Sequence, residues 1–434
     1  MAEAKEEKHT GALYEATEDF ARSRDGSDPL RHFRERFIFP ETESGEEPVY
    51  FTGNSLGLQP KKAREYVDQE LEDWAKLAVE AHLHAKHPWL PYHEFLTEQM
   101  ANVVGAKASE TVVMNSLTVN LHLMMVSFYR PTKERFRIMI EGKAFPSDQY
   151  AVKSQLAFHG FEPESGLIEV LPRHGETYLR TEDIVEAIGK HADSLALVMF
   201  GGVNYFTGQS FDLKAISEEG HKAGAVVGFD LAHAAGNVPL KLHESGADFA
   251  VWCSYKYLNS GPGGVAGVFV HERHARAFDL PRFAGWWGHD KASRFQMGPE
   301  FEPIEGAEGW QISNPPILQM AALRASLEIF EEAGMEALAH KSKDLTGYLE
   351  FLIEGIGDNR ISIITPRDPA DRGCQLSIRV RNADRSLFEK LTSQDVFADW
   401  REPDVIRVAP VPLYNSFSDV FRFSEKLRSA LSQS

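Results

Sequence analysis

The chain has 434 residues, room for two cores, and its 43% hydrophobic and 25% charged content is that of an ordinary globular protein. With 46 basic against 64 acidic residues the net charge is −18 and there is no long basic run. That argues against nucleic acid or an anionic membrane as a partner, while small anionic ligands stay open.

The first residues lack the apolar core of a signal peptide, and no apolar run nears the roughly 20 residues of a membrane span. The two cysteines, Cys253 and Cys374, lie far apart without CxxC spacing, so neither a disulfide framework nor a thiolate zinc site is expected. The chain reads as intracellular, in the cytoplasm.

Residues 1 to about 30 are polar and charged, with a helix expected from Leu13 to Arg22. Tyr50 to Pro60 reads as a short strand broken by Gly and Asn, then a proline-started helix from Pro60 to about Val79. Along that helix Ala63, Val67, Leu71, Trp74, Ala75 and Ala78 recur at helical spacing. His82, His84 and His87 follow, close to Trp89 and Tyr92. Helical metal pairs want i, i+4 spacing with a carboxylate or thiolate nearby, so no metal is assigned and these are read as loop or substrate-contact histidines.

From Thr111 strands and helices alternate. Thr111 to Met114, Arg137 to Glu141, Leu167 to Leu171, Leu195 to Phe200 and Ala225 to Phe229 read as strands. Helices are expected at Thr118 to Tyr129, Pro146 to His159, Thr181 to Lys190 and Asp212 to Ala223. Such alternation signals an α/β fold with a mainly parallel sheet, whose ligands sit beyond the carboxyl ends of the strands.

Four stretches fall at such ends. Asn115-Ser116-Leu117-Thr118 opens a helix and is either a phosphate seat or a plain N-cap. In Phe145-Pro146-Ser147-Asp148 an aromatic precedes a proline-started helix, placed to stack on a flat ring or to fill a core. Asp230 ends the strand Val226-Val227-Gly228-Phe229, with His233 just after it. Lys256 ends the apolar run Ala247 to Trp252, flanked by Tyr255 and Tyr257.

A lysine in apolar company loses hydration, which favours the neutral amine that attacks carbonyls. The bland alternatives are a lysine stem lying over aromatic rings and an Asp230 that caps a helix. An acid at one strand end and an amine at a later one together favour pyridoxal phosphate, gripped at its ring nitrogen and its aldehyde. Gly261-Pro262-Gly263-Gly264 is no dinucleotide fingerprint, because it leads into the β-like Val268-Phe269-Val270 and not into a helix.

After about residue 290 the pattern changes to helices at Ile317 to Glu332, Met335 to Gly355 and Arg385 to Leu391, and one beginning near Phe417. Strands are expected at Ile361 to Thr365, Gln375 to Val380 and Val405 to Val408. Arg407, inside a β-prone run, needs a carboxylate from the protein or from a ligand.

Six stretches then carry a resemblance. They are Asn54-Ser55-Leu56-Gly57, Phe145-Pro146-Ser147-Asp148, Gly228-Phe229-Asp230-Leu231-Ala232-His233, Cys253-Ser254-Tyr255-Lys256-Tyr257-Leu258-Asn259, Ile312-Ser313-Asn314-Pro315-Pro316 and Arg407-Val408-Ala409-Pro410. In this order they resemble the kynureninases, pyridoxal-phosphate enzymes of the aspartate-aminotransferase fold group, from about Phe51 to the C-terminus.

The resemblance implies the fold type I architecture of pyridoxal-phosphate enzymes. That means a large cofactor-binding domain with a mainly parallel seven-stranded sheet (51–310), a smaller α+β C-terminal domain (311–434), and an N-terminal segment (1–50) packing with the small one. It implies hydrolysis of the Cβ–Cγ bond of L-kynurenine or 3-hydroxy-L-kynurenine, releasing L-alanine with anthranilate or 3-hydroxyanthranilate, in tryptophan breakdown and NAD biosynthesis.

It also implies roles. Lys256 would carry the cofactor as a Schiff base, Asp230 would pair with the pyridine nitrogen with Asp148 close by, and Phe145 would stack on the ring. Thr118, the backbone at Leu117, and Tyr255 would hold the phosphate, with Gly201 and His233 also lining the cofactor. A homodimer with shared sites would bring Trp286 and Asn314 from the other subunit. Arg407 would grip the substrate α-carboxylate, and His82, Ser313 and Asn314 would read its aromatic ring, in the combination of enzymes preferring 3-hydroxykynurenine. A cysteine desulfurase or an aminotransferase on the same scaffold, and a regulator without activity, are the rivals.

Overall fold

The computed structural model describes residues 14–432, so Leu13, the expected start of the first helix, lies outside the described residues. The helix that forms, α1 (Glu18–Ser27), begins where the Thr17 hydroxyl accepts from the Phe20 N–H at 3.2 Å. α2 (Lys61–Leu77) follows Pro60, whose ψ of 134° leaves it outside the first turn: the proline precedes this helix instead of starting it. α3 (Glu94–Val104), not anticipated, buries Leu96, Met100, Val103 and Val104 and stops at Gly105, whose φ of +67° ends a helix without strain.

The alternating region follows as β1 (Thr111–Val113), α4 (Leu117–Phe128), β2 (Arg137–Glu141), α5 (Pro146–Phe158), β3 (Leu167–Val170) and α6 (Thr181–Lys190). It continues as β4 (Leu195–Gly201), α7 (Leu213–Lys222), β5 (Val226–Asp230), β6 (Phe249–Trp252) and β7 (Gly267–Val270). These strands form one sheet of order β1-β7-β6-β5-β4-β2-β3. β7 runs antiparallel to both neighbours and the other pairs are parallel. Helices on both faces leave β5 and β6 buried almost throughout, so in sequence they are apolar runs and not alternating patterns.

α8 (Ile317–Ala333) packs on α2 and α3 in the first core. Gly334, at φ +75°, turns the chain into α9 (Met335–Gly355), whose Leu345, Leu349 and Leu352 belong to a second core. That core covers an antiparallel sheet of order β8-β9-β11-β10, made by β8 (Ile361–Ile363), β9 (Leu376–Val380), β10 (Asp399–Arg401) and β11 (Val405–Val408), with α10 (Arg385–Thr392) and α11 (Phe417–Ser432) around it. Ala21 of α1 and Val49 also enter it, and Val49 and Tyr50 pair in parallel with Val396 and Phe397. Among the described residues no helix is long and apolar enough to cross a membrane.

Candidate active site

The carboxyl ends of β2, β4, β5 and β6 and the starts of α4 and α5 open onto one cleft. Its walls include Leu117, Thr118, Phe145, Asp148, Gly201, Asp230, His233, Tyr255 and Lys256. All nine were expected at a cofactor site, and they come from five separate segments of the chain. Glu141, Ser147 and Tyr205 line it too and were missed.

Lys256 Nζ lies 3.0 Å from Nε2 of His233, 5.8 Å from the centre of the Phe145 ring and 5.9 Å from that of Tyr255. Burial, then the charge of Lys256, holds the His233 imidazole well below its usual range, so the ring is neutral. Its Nδ1 is buried without a partner.

The loop that carries Lys256 is braced from the other side of the chain. Gly57 N–H donates to the Tyr255 carbonyl at 2.9 Å, and a Cβ at Gly57 would run into the Lys256 carbonyl and the side chain of Asn259. Asn259 itself sits at φ +51°, a conformation that asparagine tolerates better than most residues.

Three carboxyl groups crowd the opposite wall. Asp230 Oδ1 accepts from the Ala232 N–H at 2.7 Å, a local turn contact and not the cap of a helix. Asp148, in the first turn of α5, is hydrogen-bonded to Asp230. Burial, then the Asp230 charge, pushes Asp148 far above the usual carboxyl range, and burial raises Asp230 as well, opposed there by the Asp148 hydrogen bond and the Ala232 N–H. Glu141, at the end of β2, accepts from the Gly201 N–H at 3.1 Å, and burial lifts it to about 7. A Cβ at Gly201 would stand 2.9 Å from Glu141 Oε1, so glycine leaves that carboxyl its place.

At the far end of the cleft, neither Ser116 before α4 nor Phe145 before α5 caps its helix through a side chain. Plain N-capping therefore does not account for Asn115 to Thr118. Two uncapped helix starts present free N–H groups beside the hydroxyls of Thr118 and Ser147, which are 3.0 Å apart. Phe145 is half exposed on the cleft and meets the Tyr205 ring edge-on at 5.2 Å. It is not a core phenylalanine.

The donor set fits pyridoxal phosphate. An amine, a buried carboxylate facing the same space, an exposed ring between them and an anion seat match its aldehyde, ring nitrogen, ring face and phosphate.

Arg407 is 1% exposed and finds the protein's own carboxylate, with Nη2 donating to Asp399 and Nη1 to the Tyr205 carbonyl at 2.6 Å. It stands behind the cleft wall instead of lining it. His82 (Nδ1 at 3.0 Å from the Val79 carbonyl), Trp286, Ser313 and Asn314 lie outside this cleft in the single chain, and the last two are exposed. Both cysteines are buried and free.

The fold is shared with pyridoxal-phosphate enzymes of low sequence identity. A C-DES K223A mutant with glycine covalently linked to its PLP cofactor superposes with a TM-score of 0.75 at 17% identity, over 91% of this chain and 98% of that one. The cysteine desulfurase CsdA from Escherichia coli gives 0.75 at 16% identity, over 93% and 98%. These likenesses establish the fold type I architecture alone.

Sequence carries the family. The profile of the kynureninase C-terminal domain matches residues 338–427. The kynureninase of Myxococcus xanthus (strain DK1622) is 60% identical over 96% of this chain and 98% of its own length. That of Nematostella vectensis is 52% identical over 95% and 93%. With identity of this order across nearly the whole length, the chain belongs to the kynureninase family.

Proposed function

We propose that the cleft is the cofactor half of a kynureninase site, with the substrate held between it and Arg407. The enzyme is a pyridoxal-phosphate-dependent hydrolase of the Cβ–Cγ bond of kynurenine. The observation that carries the residue assignments is that Lys256 and Asp230, from different segments, wall the same cleft. When bound, the cofactor supplies an electron sink for charge developing on the substrate carbons.

In this reading the chain's own groups do the rest. Asp230, with Asp148 beside it, holds a proton on the ring nitrogen. The Thr118 hydroxyl, the N–H of Leu117 and Tyr255 hold the phosphate, and Phe145 packs on the ring face. Gly201 and His233 close the wall around them. The Lys256 amine takes the Cα proton. Burial keeps the Tyr255 hydroxyl protonated, so it can deliver a proton to the carbon left when the Cβ–Cγ bond breaks. Arg407 anchors the α-carboxylate.

Trp286 and Asn314 would come from a second copy in a homodimer, and His82, Ser313 and Asn314 would read the substrate's ring and favour its 3-hydroxy form. Exposure of Ser313 and Asn314 in the single chain supports this sharing. Two buried free thiols suit a cytoplasmic enzyme. Desulfurase chemistry, which the structural neighbours raise, needs a mobile reactive cysteine, and burial pushes both Cys253 and Cys374 up and away from the thiolate. Incubation of purified protein with cofactor and 3-hydroxykynurenine should release alanine; no alanine from either kynurenine would refute the reading.

A further inference from the structure

The place read as the carboxylate seat holds more charge than one arginine. Antiparallel pairing of β10 with β11 sets Asp399 directly across from Arg407, and Arg401, two residues on, shares the face of Asp399. Asp399 Oδ2 accepts from Nη2 of Arg407 and, at 3.2 Å, from Nη2 of Arg401. Two guanidinium groups on one carboxylate leave a net charge of about +1.

The Nε of each arginine is buried without a partner. An unmet guanidinium N–H of a side chain only 1% exposed, as in Arg407, is a donor held ready for a further acceptor. Both charges reach the cleft, for Arg407 and Arg401, after burial and Lys256, depress the His233 imidazole. Arg407 also holds the carbonyl of Tyr205, whose side chain stands against Phe145.

We infer that Arg401 is the second cation of the carboxylate seat and that Asp399 is the positioning residue clamping both guanidinium groups, so that the seat offers one unpaired positive charge to one carboxylate. This rests on Arg407 being the substrate's anchor. Without Arg401 the seat is neutral; without both Arg401 and Asp399 it returns to one positive charge, on Arg407.

Steady-state kinetics of the holoenzyme with L-kynurenine and with its uncharged α-carboxamide test this. Arg401→Gln should raise KM for kynurenine about tenfold or more, the scale of one charge-assisted hydrogen bond, with kcat within about twofold and KM for the amide unchanged. Arg401→Lys should keep most of the affinity. Adding Asp399→Asn to Arg401→Gln should recover most of what the single change lost.

An unchanged KM in Arg401→Gln, equal losses for acid and amide, or a double variant weaker than the single one would each overturn the inference. Arg401 is 38% exposed, so its replacement should fold, and Arg401→Met supplies a second uncharged side chain. Arg407→Gln separates the two readings: if it leaves KM unchanged, Arg407 is not the anchor, whatever Arg401 does.

Discussion

Arg407→Lys exchanges a rigid fork for a point charge at the centre of the proposed carboxylate seat. The guanidinium reaches Asp399 through Nη2 and the Tyr205 carbonyl, 2.6 Å from Nη1, and at 1% exposure no water replaces either partner. One ammonium cannot meet both and also face an incoming carboxylate, so at least one charged hydrogen bond is lost, about 1.5–3 kcal/mol. In affinity that is about ten- to hundredfold. If the Tyr205 carbonyl is the group abandoned, a buried acceptor goes unmet and the ring set 5.2 Å from Phe145 loosens as well. Steady-state rates with L-kynurenine should show KM rising by that factor and kcat falling less, because the anchor acts in binding and not at the breaking bond. Unchanged KM and kcat would make Arg407 a purely structural partner of Asp399 with no hold on the substrate.

Lys256→Ala should abolish the visible absorbance of the cofactor while leaving the circular dichroism of the fold intact; a band at wild-type intensity would remove Lys256 from the mechanism. Gly57→Ala forces a methyl group into the Lys256 carbonyl, so thermal stability should fall by about 1–3 kcal/mol, and an unshifted melting curve would show that the loop yields freely. For Glu141, a folded value of about 7 against 4.5 unfolded means the native state keeps a proton the unfolded chain has lost. Its contribution is full below pH 4.5 and declines by about 3 kcal/mol as pH rises to 7. Glu141→Gln should therefore flatten the fall in melting temperature of the apo-protein between pH 5 and 7, and parallel curves would show that Glu141 ionises normally. For the ring contacts, kcat/KM should favour 3-hydroxykynurenine in the wild type and less so in His82→Ala; no preference in the wild type removes His82, Ser313 and Asn314 from the reading.

The alternating strands and helices from Thr111 to Val270, and the crevice at their carboxyl ends, were legible because a sheet covered on both faces demands apolar runs of strand length. Asp230 and Lys256 stood out as polar residues closing such runs. Glu141 closes β2 in the same manner, so the signal that would have found it was present and unread. α3 escaped because its stripe follows the histidine-rich stretch without a capping residue, and His93 before it makes no side-chain cap. Tyr205 carries no local mark, and Ser147, although inside the Phe145 to Asp148 stretch, was given no role there.

Local pattern alone thus determined which segments become strands and where a charged group must end one, since burial acts on each residue through its own neighbours in the chain. The partner of Arg407 was beyond its reach. Sequence reading left protein and ligand carboxylates equally open, and only the register of β10 against β11 set Asp399 and Arg401 beside it. The joining of Asp148 to Asp230, and of Gly57 to the Lys256 loop, likewise belongs to the tertiary structure, because contacts between distant segments depend on how whole elements pack.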